Sequence, residues 1–592
     1  MSMRRALVVL LALLVATPAG AAPPKTRAAK AIVKAVAKTK KDDKSKSKSS
    51  SRARVAFGKA GELRPAREVI GRREEPLTLE EDIAKQIEKL LRGPLRNGIT
   101  GLYVADARTG EPLFAVNSDD PLNPASNVKM VSTATALELL GPSFRYTTRL
   151  LGPEPDKTGV IHGDLYLLGT WDPTLSAADM GDIADQLTAR GMKQLDGNIL
   201  VGSDPTRDGI YRAMVPIEIV AGEPGEPPTA TTPAGFDLVT VEVTAKTEKR
   251  ARKRHRLTFK QETIVGADGR KRIKLTIGGT IGKGGETMHP LYTKERTAVA
   301  SHALRAALRA HSVVVNGDVR VMELGDFIGD SVGAKGLPIE LARHESQTLQ
   351  DIVTRVNKWS VNWLADRVIM TAAALARRTT PSMDVAVDAM YAWLQRHPNL
   401  SKDQVVIDTG SGLSYRTRIT PEELVSIVRN AGGFVDGTDA GLAKAWLGSL
   451  SIAGTDGTLR HRFKVTDVQG HVHAKTGTLS TAIALTGVLD LDPTRPLAFS
   501  IITNSLRPLR KGYVRKAHEQ LVGLLAKYVQ ATAKPTSLPA GTPVQLGTPI
   551  GPLPSINEAA VTVPEDVAEP QLDPELDAEA AGKPLSTVKA KD

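Results

Sequence analysis

The apolar positions of this chain change period several times. ITGLYVADARTGEPLFAVN, residues 99–117, alternates apolar and polar positions in two runs around Arg108-Thr109-Gly110, which predicts a hairpin. In PLNPASNVKMVSTATALELL, residues 121–140, the capping-type residues Asn123, Pro124 and Ser126 precede an apolar-periodic run that Gly141-Pro142 ends, which predicts a helix. From about Leu150 to Val321, short strand-like runs (DLYLLG, GNILVG, LVTVEVTA, RKRIKLTIGG) are separated by Gly/Pro-rich turns, with one helix-like segment at TAVASHALRAALRA. GKGGET, residues 282–287, lacks Walker spacing and reads as a hairpin turn. Helical periodicity returns in LQDIVTRVNKWSVNWLADRVIMTAAALARR, DVAVDAMYAWLQRH and PEELVSIVRNAG. HVHAKTGTLS, AIALTGVLDL and LAFSIITN then read as successive strands. The simplest architecture is an α/β domain made of two segments, 76–150 and 322–530, interrupted by a strand-rich insertion over 151–321.

The ends do not fit this core. Met1 to Ala21 has Arg4 and Arg5, an apolar run from Ala6 to Ala16 and a small-residue site at Ala19-Gly20-Ala21, the three parts of a secretory signal peptide cleaved near Ala21. That run is too short to span a bilayer, and no later stretch approaches the ~18 unbroken apolar residues of a transmembrane helix. The reading is a periplasmic or otherwise exported protein. With no cysteine among 592 residues, disulfides, thiolate metal sites and Cys nucleophiles are excluded, so a nucleophile would be a hydroxyl.

The net charge of +13 invites a nucleic-acid reading, but its distribution argues otherwise. Lys25 to Arg54 carries 12 basic and 2 acidic residues, whereas 531–592 carries 9 acidic and 4 basic. Residues 22–75 read as a basic disordered linker and 531–592 as a Pro-rich acidic disordered tail. Lys30, Lys34 and Lys38 could form one face touching an anionic surface, although a solvated tether is the simpler role. Aromatic residues make up 4% of the chain and no nucleic-acid motif interleaves them.

Ser126 and Lys129 are three apart, so a hydroxyl and an amine share a helix face, the minimum for an activated serine. The spacing alone is weak: it recurs at Ser45 to Lys48 and at Ser586 to Lys589. Context separates it. Ser360-Val361-Asn362 follows with a hydroxyl and an amide beside a helical segment, and Lys475-Thr476-Gly477-Thr478 follows with a cation, two hydroxyls and a glycine on a strand, where the missing side chain would let a ligand lie against the backbone. The copies at Ser555-Ile556-Asn557 and Lys157-Thr158-Gly159 fall outside this order. Ser-x-x-Lys, Ser-x-Asn, Lys-Thr-Gly is the ordered motif set of penicillin-binding proteins and serine β-lactamases.

With about 230 residues between Lys129 and Ser360, and with NPASNVKM, GDLYLLGTWDPTL, NKWSVNWLADRV, GSGLSYRTRITP, AGTDGTLRHRF and HAKTGTL in order, the chain resembles the penicillin-binding protein 4 type of D-alanyl-D-alanine carboxypeptidase/endopeptidase, the S13 peptidase family, from about Ile99 to Leu525. The resemblance implies an α/β (α+β), β-lactamase/transpeptidase-like catalytic domain with a strand-rich insertion. It implies an enzyme that cleaves D-Ala-D-Ala termini or D-Ala to diamino-acid cross-links in peptidoglycan peptide stems and is acylated by β-lactams. Ser126 would form the acyl-enzyme. Lys129 would take its proton, which requires a neutral amine and so a lowering from ~10.4 that costs about 4 kcal/mol; burial and the charge of Lys475 act in that direction. Ser360 would relay the proton to the leaving amine and Asn362 would hold the acyl-side amide. Lys475, Thr476 and Thr478, with Gly477 between them, would receive the terminal carboxylate, and the backbone N–H groups of Ser126 and Thr478 would form the oxyanion hole. No metal or organic cofactor is implied.

Three features depart from the family pattern. Thr409 stands where the Asp of a D-G-S-G-L-S motif is expected, beside Asp408; Asp366 replaces the usual Glu; and IYRAMVPIEIVAGEPGEPPTATTPAGF, residues 210–236, is unlike the family in the insertion. These put side-chain selection in the substrate in question. Competing readings are a non-catalytic peptidoglycan- or partner-binding protein and a β-lactamase-like hydrolase, against which the long insertion argues. His471 and His473 share a strand face, but no third metal ligand is indicated. The run Arg252 to Arg256 reads as a charged loop or strand edge.

Overall fold

The computed structural model describes residues 77–533, apart from 177, 203–214, 234–235, 252–254, 267–270, 292–295, 322–337, 465 and 506–509. The signal-peptide, linker and tail readings, the Lys30–Lys38 face and Arg252–Arg254 therefore lie outside the described residues, apart from the last turn of one helix at 531–533. No described helix is long and apolar enough to cross a membrane.

The N-terminal helix α1 (Leu79–Arg92) starts at a capping box in which Thr78 accepts from the Glu81 N–H and Glu81 accepts from the Thr78 N–H. The predicted hairpin follows as β1 (Ile99–Asp106) and β2 (Pro112–Val116). A short 3-10 turn, Ala125–Val128, leads into α2 (Lys129–Leu140), which Gly141 ends. The second segment supplies α3 (Leu349–Trp359), α4 (Asn362–Arg377), α5 (Met383–Arg396), α6 (Pro421–Ala431) and α7 (Ala440–Ser449). The strands β3 (Ser451–Ile452), β4 (Val472–Thr478), β5 (Ala482–Leu489) and β6 (Leu497–Asn504) follow, then the C-terminal helix α8 (Lys511–Thr532).

The six strands form one antiparallel sheet in the order β3-β4-β5-β6-β1-β2. Strands β5 and β6 are buried on both faces, and their alternation explains how. Ile483, Leu485, Leu489, Phe499 and Ile501 pack with α1 and α8 in one core, while Ala484, Val488, Ala498 and Ile502 pack with α2 to α7 in the other. Asn127 of the turn carrying Ser126 bonds to Thr486 on this second face, so the turn sits close to the sheet.

The strand-rich region has a core of its own, running from Leu150 to Ala342, which shares no residue with the two cores above. Its five-stranded sheet runs 319–321, 199–201, 165–169, 147–152 and 339–345, with Thr147–Gly152 antiparallel to Ile339–Glu345 where the chain enters and leaves. The helix-like segment TAVASHALRAALRA is helical at Arg296–Ala310. GKGGET is a turn, but not the expected hairpin: the strand before it pairs with 239–243 and 256–265, and the strand after it pairs with 215–220 in another sheet. Trp171 packs on Ala374 and Leu375 of α4, and the Tyr146 hydroxyl meets Thr371 at 2.8 Å, fixing this region against the helical face.

The long helical stretch from Leu349 is two helices, not one. Ser360 between them is left-handed (φ 56°, ψ 39°) and Val361 is extended. Periodicity continues across the break because both helices bury apolar faces in the same core.

Beneath the sheet, the fully buried His518 of α8 lies 2.9 Å from the Thr503 hydroxyl, which lies 2.9 Å from that of Thr100, joining α8, β6 and β1. Burial, with the charge of Arg462 in second place, lowers the His518 pKa to about 3. The folded value is below the unfolded one, so its stabilising contribution is complete above pH ~6.5 and is lost as pH falls towards 3, by at most roughly 4–5 kcal/mol. The wild type should therefore lose urea resistance between pH 6.5 and 4 more steeply than His518→Gln; parallel pH profiles of the urea midpoint would show that His518 is not responsible.

Candidate active site

Three chain segments meet at the amine of Lys129. Its Nζ lies 3.0 Å from Ser126 Oγ, 2.5 Å from Asn362 Oδ1 and 2.7 Å from the Ser411 carbonyl. Lys129 is fully buried, and Ser126 is buried with 8% of its surface exposed. The second amine, Lys475, is also fully buried; its Nζ donates to Ser360 Oγ at 2.8 Å and to the Thr476 carbonyl at 3.0 Å. Burial, then the charge of Lys129, holds the Lys475 pKa well below the ordinary lysine range.

The position of Ser126 follows from its neighbours. Asn123 Oδ1 accepts from the Ala125 N–H, a turn contact and not the expected helix cap, since Pro124 and Val128 precede the 3-10 turn and the α-helix without a side-chain cap, while Asn123 Nδ2 donates to the Ser414 carbonyl. Asn504 at the end of β6 clamps the backbone of Asn123 with bonds of 2.7 and 3.0 Å. One residue past Ser126, Asn127 donates to Thr486, which meets Ser500, anchoring the turn to the sheet. Ser126 thus lies in the 3-10 turn that runs into α2, with Lys129 at the start of the α-helix. Ala125 carries φ 48°, a conformation a non-glycine residue holds only when its surroundings force it.

The glycine of Lys-Thr-Gly has a different cause from the expected one. A Cβ on Gly477 would lie 2.5 Å from the Pro124 carbonyl and 3.2 Å from Ala125 Cβ, so the vacant side is filled by the segment carrying Ser126 rather than left for a ligand. Thr476 and Thr478 are half-buried on the other side of the strand, where Thr476 donates to Thr458 and Thr478 accepts from Arg515.

The motif departures also have places. Asp366, one turn after Asn362 on α4, accepts from the Ser411 N–H at 2.7 Å, and the Ser411 carbonyl in turn faces Lys129. Burial raises the Asp366 pKa against the opposing effects of its Ser411 hydrogen bonds and the charge of Lys129. Asp408 accepts from Ser414, Arg416 and Thr417 and pins the loop, while Thr409 accepts from the Gly412 N–H. Within the 210–236 stretch, strands form at Val215–Val220 and Thr229–Thr231.

Sequence reasoning did not single out the Ser411 carbonyl, Thr458 or Arg515. Lys157-Thr158-Gly159 lies in a turn closed on Asp156, and the other decoy copies lie outside the described residues. His471 and His473 both face Asp490, at 3.5 and 3.4 Å. Among the described residues, no group of three His, Cys, Asp or Glu is placed to hold a metal ion.

The sequence profile of the D-Ala-D-Ala carboxypeptidase 3 (S13) family matches residues 83–528. The chain belongs to this family. Similar proteins include the D-alanyl-D-alanine carboxypeptidase of Actinomadura sp. (strain R39), 29% identical over 456 residues that cover 72% of this chain and 81% of the relative. Carboxypeptidase DacB of Mycolicibacterium smegmatis is 26% identical over 449 residues, covering 73% and 82%. The crystal structure of penicillin binding protein 4 (dacB) from Haemophilus influenzae matches with a TM-score of 0.57 at 20% identity, over 74% of this chain and 99% of that one. The fold is therefore the α/β, penicillin-binding protein 4 type expected from the sequence.

Gly477→Ala should force Pro124 and Ala125 away from β4. It should cost about 1–3 kcal/mol of stability and slow acylation by a fluorescent penicillin at least ~10-fold. Acylation at the wild-type rate by the folded variant would contradict this packing argument.

Proposed function

We propose that this S13 D-Ala-D-Ala carboxypeptidase is an exported serine D,D-peptidase that cleaves D-Ala-D-Ala termini, D-Ala to diamino-acid cross-links, or both, in peptidoglycan through an acyl-enzyme on Ser126. The observation that carries this reading is the coordination of Lys129 Nζ by Ser126 Oγ, Asn362 Oδ1 and the Ser411 carbonyl, all within 3.0 Å. A neutral lysine amine has two N–H donors and one lone pair. Asn362 and Ser411 accept the two donors, and the lone pair then faces the Ser126 hydroxyl. Taking that proton turns the amine into an ammonium whose three donors match the same three oxygens, so the transfer needs no rearrangement of the pocket.

In this reading Ser126 Oγ attacks the carbonyl carbon and the oxyanion forms against the N–H groups of Ser126 and Thr478. With its Oδ1 turned to Lys129, Asn362 presents Nδ2 to the acyl-side carbonyl. Ser360, bonded to Lys475, passes a proton to the departing amine as the C–N bond breaks, and water then hydrolyses the Ser126 ester. Thr476 and Thr478 face the substrate carboxylate. The separate core of the strand-rich region supports a division into a catalytic domain of 76–150 with 322–530 and an insertion at 151–321. Met1 to Ala21 supports export by signal-peptide cleavage.

Incubating the purified protein with cross-linked muropeptides and, separately, with labelled penicillin tests the proposal. Wild type should release D-Ala or cleave cross-links and should retain the label. Ser126→Ala should lose both by more than ~10³-fold, and Asn362→Ala should slow acylation ~10²–10³-fold. Full labelling of Ser126→Ala would refute the assignment of the nucleophile. Binding without cleavage would mark a non-catalytic protein, and rapid nitrocefin turnover a β-lactamase.

A further inference from the structure

One long strand edge in the inserted region stands open, and its sequence is complementary to itself. The two edges of the central sheet are guarded: β3 has only two residues, and β2 opens with Pro112, which has no N–H to donate. The strand Arg256–Val265 lacks both safeguards. Its ten residues pair antiparallel with Lys271–Ile281 on one side, and among the described residues no strand pairs with its other side.

Alternate residues of this strand meet different surroundings. Phe259, Gln261 and Thr263 stand opposite Ile277, Leu275 and Ile273, which are buried in the core of the region, and the Phe259 ring stacks on His289 with centres 3.6 Å apart. The apolar face then runs out towards the end of the strand, where Gln261 and Thr263 are exposed and Val265 is 68% exposed. On the other face Lys260 and Glu262 bond to each other at 2.7 Å in contact with solvent.

A two-fold axis through Gln261 lays this edge antiparallel on a second copy of itself. Opposed residues then share a face, so Lys260 of each copy meets Glu262 of the other, Leu257 covers the exposed Val265, and Phe259 meets Thr263. Other registers fail. A slip of one residue sets the apolar face of one strand against the polar face of the other, and an axis through Lys260 or through Glu262 opposes like charges. An edge guarded by repulsion alone would carry one sign of charge at its centre; this one carries both signs, at the two positions that the axis exchanges.

We propose that the protein forms a two-fold homodimer in which the Arg256–Val265 strands of two copies pair antiparallel about Gln261 and join two sheets into one. The interface is a single strand pair with a narrow apolar flank, so the dimer is concentration-dependent and not obligate. The inference is independent of the D,D-peptidase reading.

Sedimentation velocity of the purified chain over a range of concentrations tests this. Wild type should pass from monomer to dimer as concentration rises. Lys260→Glu and Glu262→Lys should each weaken the dimer at least ~10-fold, whereas the double exchange, and an equimolar mixture of the two single variants, should restore it. Because the chain has no cysteine, one introduced thiol reports the register. Gln261→Cys should cross-link to a dimer on mild oxidation, since directly opposed residues lie about 4.5–5.5 Å apart between Cα atoms, within the span of a disulfide. Thr263→Cys, roughly 13 Å from its own copy in this register, should not. A wild type that stays monomeric at every concentration, a dimer that both single charge variants leave intact, or equal cross-linking of the two cysteine variants would overturn the proposal. Capture of a foreign peptide strand on this edge by a monomeric wild type would assign the edge to another occupant and overturn it as well.

Discussion

The whole site depends on one buried amine. Lys129 is fully buried, where an uncompensated charge would be costly, and it is tolerated because three oxygens surround it. Each oxygen comes from a different part of the chain: the turn after Asn123, the start of α4 and the loop at Ser411. Satisfying one amine therefore fixes three backbone segments relative to one another. Asp366 extends the same logic, since its carboxylate holds the N–H of the residue whose carbonyl faces Lys129.

Much of this was legible in the sequence because the chemistry falls in short, ordered words. Motif order singles out Ser126, Lys129, Ser360, Asn362 and Lys475, and the structure brings their side chains into two hydrogen-bonded groups. What could not be read was contributed by backbone or by distance. A carbonyl such as that of Ser411 has no sequence signature. Arg515 lies 37 residues from Thr478 and reaches it only because α8 packs across the sheet. Asp366 had a usable signal, being four residues after Asn362 and so on the same face of a helix. The role of Gly477 was misread because a strand glycine is equally compatible with a ligand and with a neighbouring backbone, and only the fold shows Pro124 there.

Secondary structure followed a similar division. The β1–β2 hairpin, α2 and the strands β4 to β6 appear where the apolar runs place them, although α2 is buried throughout from Lys129 to Leu137 and β5 and β6 are buried on both faces. The break at Ser360 did not register, since an apolar pattern records burial and not backbone direction. Helix α1 was not recognised because only Ile83 and Ile87 are deeply buried in a segment otherwise dominated by charge. The strands around GKGGET were assigned to one hairpin because pairing partners in a multi-sheet region are set by tertiary contacts that no local turn signal encodes.

Strand β1 pairs residue by residue with β6, Ile99 with Asn504 and Asp106 with Leu497, across almost the entire described chain. The central sheet therefore cannot close until its last strand has been delivered, and a chain emerging from its N-terminus must keep β1 and β2 waiting while the intervening region, with its separate core, is free to condense. Assembly order is thus written into strand order: the hydrolytic centre is the last part to form, and a chain cut short before Leu497 would leave the β1 edge unpaired and prone to association with other chains.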